Sequence, residues 1–268
     1  MELTIIISYY KAIDNLKLIL KALNRQSNMN FEVVVSEDDF NESTMAFIAQ
    51  NNHQYGFPIA HLYQKEDNGF RKNEMLNRSV LQSKTDKIVF IDGDCIPHRH
   101  FVKEYLKAIQ EGFICTGRTV LLSEKMSAQM KWNQSLKPLN LINLLLNKTR
   151  NKKECYYFPL FSLTFKKGGR GIIGRNWGIC KQSLIDVNGF DTDYVHAGVG
   201  EDADIEWRLR KNGHQTRSMK NKAIVYHLYH PRSYSEERVR SNFEMMNKKK
   251  DTNNVRCLNG ISAIVEKQ

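Results

Sequence analysis

The sequence predicts an α/β fold in which a central, mostly parallel sheet is flanked by helices. Short runs rich in β-branched residues recur at 3–10 (LTIIISYY), 31–40 (FEVVVSEDDF) and 87–91 (KIVFI). Between them apolar residues fall at helical spacing: Ile13, Leu16, Leu20 and Leu23 after the first run, and Met45, Ile48 and Ala49 after the second. A helix that crosses between two strands returns the chain in the same direction, so such strands pair in parallel.

The remaining elements follow in order. IAHLY at 59–63 supplies a further strand, and a helix over about 72–82 separates it from KIVFI. That strand runs straight into Asp92-Gly93-Asp94, and Phe101, Tyr105, Ala108 and Ile109 then mark another amphipathic helix. Residues 122–160 fit the pattern least. Within them an apolar stretch, Leu141 to Leu146, precedes a basic cluster at 148–153, a helix suited either to covering the core or to resting on a membrane surface. GEDADIEWRLRKNG at 200–213 reads as a helix from about Glu201 to Asn212, with Ile205 and Leu209 one turn apart and Gly213 as its stop signal. AIVYHLYHPR at 223–232 is a late strand ending in histidines, and the tail is basic with one helix around 235–248. The expected organisation is one domain over 1–234, built from halves 1–94 and 95–234, followed by a basic tail, 235–268.

Composition narrows the functional classes. At 268 residues and 41% apolar content the chain buries a substantial core. No apolar run is long enough to span a bilayer, and MELTIIISYYK reads as a first buried strand rather than a leader, which leads to an expected cytoplasmic location. Five cysteines, at 95, 115, 155, 180 and 257, contain no Cys-x-x-Cys pair, against both a disulfide framework and a zinc site. The excess of 40 basic over 29 acidic residues attracts anions: nucleotide diphosphates, acidic glycans or anionic lipids. Nucleic acid is not expected as a partner, because zinc-finger spacing, an aromatic RNA-binding strand and a basic recognition helix are all missing.

Asp92-Gly93-Asp94 is the strongest chemical signal. Paired carboxylates after a buried strand suit a hard divalent cation that also takes substrate phosphate oxygens, although Asp-Gly alone is also a favoured turn. At the start of the 200–213 helix, Glu201, Asp202 and Asp204 either complement the helix dipole or reach a cleft where one removes a proton from a substrate hydroxyl. Ser8, Glu37, Asp38 and Asp94 all fall at the carboxyl edge of the sheet, where open α/β sheets bind ligands.

An early strand ending in Asp-x-Asp and a later Gly-Glu-Asp at a helix start together resemble the family 2 glycosyltransferases of the Rossmann-like GT-A fold. DNGFRKNEMLNRSV at 67–80 and GRNWGICKQSLIDVNGFD at 174–191 extend the similarity over about residues 3–231, and GEDADIEWRL is similar to a segment shared by galactosyl- and N-acetylgalactosaminyltransferases. The resemblance implies an inverting, metal-dependent transfer from a UDP-sugar (galactose, N-acetylgalactosamine or N-acetylglucosamine) to a glycan or lipid-linked saccharide in surface polysaccharide synthesis, with peripheral contact at the inner membrane surface.

It also implies site residues. Ser8 and Tyr9 would lie against the base, and Glu37 or Asp38 would meet the nucleoside, with the register left open. Asp67 and Arg71 would contact uracil and diphosphate, and Asp92 the ribose or a metal-bound water. Asp94 with His227, preferred over His230, would hold Mn²⁺ or Mg²⁺, imidazole favouring Mn²⁺. Asp202 would be the base and Glu201 would orient the acceptor. Residues 168–178 would form a mobile loop over the donor, with Arg170 or Arg175 on phosphate and Trp177 either as sugar platform or in the core. Two other readings are a sugar nucleotidyltransferase, which lacks its expected glycine-rich loop after the first strand, and a non-catalytic basic binding module, which needs no metal pair.

Overall fold

In a computed structural model, residues 1–159, 171–231 and 235–266 are described. The first half alternates strand and helix: β1 (Leu3–Tyr9), α1 (Ile13–Leu23), β2 (Phe31–Glu37), α2 (Glu42–Asn51), β3 (Ile59–Leu62), α3 (Lys72–Gln82), β4 (Lys87–Asp92), β5 (Cys95–Pro97) and α4 (Phe101–Ala108). The second half is more irregular: β6 (Phe113–Thr116), β7 (Arg118–Leu121), α5 (Glu124–Asn133), α6 (Leu141–Leu146), β8 (Asn176–Cys180) and α7 (Lys181–Asp186). A π-helical turn over Gly200–Asp204 then leads into α8 (Ile205–Lys211), β9 (Gln215–Ser218), β10 (Ile224–His227), α9 (Glu236–Asp251) and α10 (Ile261–Val265).

Seven strands form the main sheet in the order β3-β2-β1-β4-β8-β6-β9. The first four pair in parallel, and β8 runs antiparallel to both of its neighbours. A small second sheet, β5-β10-β7, stands beside it. Ile5, Ile7, Val33, Val35, Val89 and Ile91 face α1 and α4 in one core, while Ile6, Val34, Ile88 and Phe90 face Leu76, Leu184 and Leu209 in the other. Burial on both faces is why these strands read as continuous apolar runs.

One expectation is corrected here. The end of the segment expected as a mobile loop, 176–178, belongs to β8 (Asn176–Cys180), inside the sheet between β4 and β6. Gly178 makes that placement feasible, because a Cβ there would stand 2.9 Å from both the Val89 and Ile109 side chains. Gly168, Gly169 and Arg170 of the same segment lie outside the described residues.

The start of α8 is held by a buried ion pair. Arg208 Nε donates to Asp204 Oδ2 at 2.7 Å, its Nη1 donates to the Val187 and Gly189 carbonyls, and the Tyr194 hydroxyl donates to Asp204 Oδ1 at 3.0 Å. Removing the cation leaves Asp204 charged in the core, so Arg208→Leu is expected to destabilise the protein by about 3–5 kcal/mol. Denaturant unfolding checks this; a loss below about 1 kcal/mol would show that the pair contributes little.

Candidate active site

The carboxyl ends of β1, β2 and β4 meet at one edge, where register places Ser8 between Ser36 and Asp92. Gly93 comes next. Its N–H donates to the Ser8 carbonyl at 2.6 Å, and a Cβ would stand 2.9 Å from that oxygen and 3.2 Å from Tyr9 Cα. Only glycine permits so close a passage. The chain then leaves the main sheet for β5, whose antiparallel pairing with β10 sets Cys95 opposite His227.

That crossing assembles a compact donor set. Asp94 Oδ2 lies 3.3 Å from His227 Nε2 and 3.0 Å from His230 Nε2, and the Cys95 thiol donates to Asp94 Oδ1 at 3.2 Å. Ligand atoms of Asp94, Cys95 and His227 all fall within 4.8 Å of one another. Burial works to raise the Asp94 carboxyl, but the hydrogen bond from His230 and the charge of His227 outweigh it and hold the carboxyl below its usual range. Burial pushes His227 down, so its ring is neutral near pH 7, whereas the bond to Asp94 lifts His230 to about 9. A carboxylate and a neutral imidazole fixed by adjoining strands match the donors that Mn²⁺ accepts.

Deeper in, Lys72 at the start of α3 donates to Asp92 Oδ1 at 2.9 Å. Burial presses the ammonium toward neutrality, but the charges of Asp92, Glu201 and Asp202 prevail and raise its proton affinity. Asp202 responds oppositely. Burial first, then the charge of Glu201, push its carboxyl up to about 7, against the opposing Ala203 N–H bond (2.6 Å) and Lys72. Glu201 Oε1 accepts from the Gly198 N–H at 3.0 Å, while its buried Oε2 has no partner among the described residues. A π turn widens the backbone at these two carboxylates, a distortion common at functional sites.

A cleft of about 780 Å³ opens over this edge. Ser8, Tyr9, Tyr10, Asp38, Asp67, Lys72, Asp92 and Asp94 line it, with Lys131, His196, His230 and Arg238. Helix α9 reaches it because Asn242 donates to the His196 carbonyl at 2.8 Å and Lys249 bridges Asp191 and Asp193, both at 2.5 Å.

The description "Glycosyl transferase family 2" matches residues 4–172, well over half of the chain. The chain belongs to that family. A second description, "N-terminal domain of galactosyltransferase", matches residues 160–231. No curated protein matches the chain. Among solved structures, Staphylococcus aureus TarS is similar at 14% identity and a TM-score of 0.59, over 93% of this chain and 39% of that one. A mannosyltransferase from Pyrobaculum calidifontis, in complex with GDP-Man and Mn²⁺, gives 14% identity and a TM-score of 0.63, over 94% of this chain and 64% of its own. GalNAc-T7, with UDP, GalNAc and Mn²⁺, gives 10% and 0.66, over 92% and 47%. The chain thus spans under two thirds of each of these neighbours, and the likeness establishes a shared GT-A fold.

In this glycosyltransferase Ser8, Asp38, Asp92 and Asp94 lie at the cleft beside the strand ends, Asp67 reaches it from the loop between β3 and α3, and His227 adjoins Asp94. Glu201 and Asp202 do not line it, but their charges act on Lys72, which does. The structure bears on four of the expected positions, two of them left open above. Glu37 is fully buried and bonded to His61 Nε2 at 2.7 Å, because side chains alternate along β2; Asp38 faces the cleft instead. Tyr9 adjoins the cleft but is 2% exposed, its hydroxyl on Thr44 at 3.1 Å, and the exposed Tyr10 beside it offers the larger aromatic surface. Arg71 caps α3 and donates to the Glu66 carbonyl, leaving the next residue, Lys72, to reach the acidic cluster. Trp177 is 1% exposed and stacks on Phe90 at 4.6 Å, a core residue rather than a sugar platform. Sequence reasoning missed Lys72, Tyr10 and Arg238; the first two adjoin residues it had singled out, whereas Arg238 arrives through tertiary packing of α9.

Proposed function

We propose that this enzyme transfers a sugar from a UDP-sugar to a hydroxyl of a glycan or lipid-linked saccharide, with inversion at the anomeric carbon. The observation that carries the proposal is the Asp202 carboxyl, pushed up to about 7 and coupled by charge to Lys72 and Asp92, which line the cleft. A general base works best with a pKa near the operating pH. Asp202 takes the acceptor O–H proton as that oxygen bonds to the anomeric carbon, and the anomeric C–O bond to the β-phosphate breaks, releasing UDP. Glu201, one oxygen held by Gly198 N–H, orients the acceptor through the oxygen that lacks a partner. Asp38, Asp67 and Tyr10 form the nucleoside end, and Lys72 and Arg238 the cationic positions nearest the phosphates. Asp94 and His227 are suited to hold a divalent cation, which when bound supplies positive charge to offset that growing on the departing diphosphate.

The match over 160–231 and the UDP and GalNAc of one neighbour favour galactose or N-acetylgalactosamine as the sugar. Free thiols at all five cysteines agree with a cytoplasmic setting. UDP release from UDP-galactose, UDP-N-acetylgalactosamine, UDP-N-acetylglucosamine and GDP-mannose, each with Mn²⁺ or chelator, tests this. Slow, chelator-sensitive hydrolysis of one UDP-sugar is expected. Turnover of GDP-mannose alone would overturn the choice of nucleotide, and no turnover or metal-dependent nucleotide binding would favour the basic binding module.

Lys72→Met leaves Asp92, Glu201 and Asp202 without their shared cation. Turnover at pH 7 is expected to fall by at least about tenfold, with the base titrating at higher pH than in the wild type. A pH–rate profile reads both, and an unshifted limb would remove Lys72 from the proposal.

A further inference from the structure

We propose that the α5–α6 segment is a docking surface for an anionic lipid bilayer, placed so that the active-site cleft opens beside the membrane. The inference rests on the proposed transfer to an acceptor hydroxyl only for its consequence, not for the contact itself. Trp132 at the end of α5 is 89% exposed, and Ile142 and Leu146 on α6 are 69% and 79% exposed, with Leu141 also outward. Leu144 is the only fully buried residue of that apolar helix. A short helix of aliphatic side chains turned mostly to solvent is costly for a surface that meets only water.

Charge identifies the occupant. Residues 125–153 contain no Asp or Glu but carry Lys125, Lys131, Lys137, Lys148, Arg150, Lys152 and Lys153. Apolar side chains ringed by cations bind interfaces by inserting into the acyl boundary while the cations meet anionic headgroups. A protein partner would need acidic complementarity over the same area, whereas a bilayer supplies both chemistries at once. Among the described residues no helix is long and apolar enough to cross a membrane, so the contact is peripheral.

Continuity with the cleft gives this surface its role. Lys131 lines the cleft and adjoins Trp132, Met130 between them and the core is buried, and Ser127 one turn earlier accepts from the Tyr229 N–H at 2.9 Å. Helix α5 therefore joins the lipid-facing patch to the wall that faces the donor, an arrangement suited to an acceptor whose sugar stands on a lipid.

Vesicle co-sedimentation of the full chain tests the proposal, with phosphatidylcholine vesicles alone or containing phosphatidylglycerol. Binding to the anionic vesicles is expected to exceed that to neutral ones by at least about tenfold. Ile142→Ser/Leu146→Ser is expected to weaken it by about 10- to 100-fold while leaving UDP binding and circular dichroism unchanged. Lys148→Gln/Lys153→Gln should weaken it more than Lys248→Gln/Lys250→Gln, which removes the same charge from α9. Equal loss in the two lysine variants would reduce the effect to net charge and overturn the assignment, as would absence of anionic-vesicle binding. So would a wild-type dimer that Ile142→Ser/Leu146→Ser converts to monomer, since the patch would then belong to a second copy. Failure of the donor assay with vesicle binding intact would sink the proposed transferase chemistry and leave this surface standing.

Discussion

Asp202→Asn is expected to lower sugar transfer by about 10²- to 10⁴-fold while UDP binding stays within a few-fold of wild type, because asparagine keeps the shape of the side chain and loses the base. The residual carboxyl pKa of about 7 predicts an acidic limb in the wild-type rate profile near that pH, absent in the variant. Stability supplies a second readout. A carboxyl raised above its unfolded value binds its proton more tightly when folded, so it favours the fold at low pH. That contribution is lost as pH rises from about 4 through about 7. Above pH 7 the wild type carries a buried charge that the variant lacks. Asp202→Asn should therefore be the more stable protein at pH 8, by about 1–3 kcal/mol after allowance for solvent screening, and about equal at pH 4. Thermal melts at the two pH values check this. An inactive variant that is also less stable at pH 8 would point to damage rather than to loss of a base.

The second large effect concerns the donor set between the two sheets. Asp94→Ala removes the carboxylate that His227 and His230 share, and metal-dependent UDP binding is expected to weaken by at least about 100-fold. The two histidines are expected to differ. His227 is held in β10 with a neutral ring, so its lone pair is available near pH 7; His230 is half exposed and protonated through Asp94. His227→Ala should accordingly approach the effect of Asp94→Ala, and His230→Gln should leave Mn²⁺-dependent binding within about threefold of wild type. Calorimetric titration of UDP with and without Mn²⁺ separates them. Equal losses would mean that both rings, or neither, serve the cation.

The parallel half of the fold was legible because strands buried on both faces leave an unbroken apolar run, and α3 was placed at its observed limits by its stripe of Met75, Leu76 and Val80. Strand β8 was not, since Asn176 and Gly178 weaken the strand signal. They are there for packing: the Tyr105 hydroxyl donates to Asn176 Oδ1 at 2.7 Å, and Gly178 admits Val89 and Ile109. The π turn was equally hidden, because Asp204 and Arg208 keep the i,i+4 spacing of an ordinary helix. At the site, motif residues at strand ends lie at the cleft, whereas the open choice between Glu37 and Asp38, and the places of Tyr10 and Lys72 next to the expected Tyr9 and Arg71, turned on which way each side chain points. That direction depends on the residue's exact place within its strand or cap, and a boundary uncertain by one residue inverts it.

Strand β8 has one more consequence. It hydrogen-bonds on one side to β4, which delivers Asp92, and on the other to β6, whose far neighbour β9 follows the helix beginning just after Asp202. Asp92 thus ends a strand inside one continuous seven-stranded ladder, whereas Asp202 sits outside that ladder in the π turn before α8. Any change in the spacing of these two carboxylates therefore falls to the turn and the chain leading into it, not to a parting of the sheet.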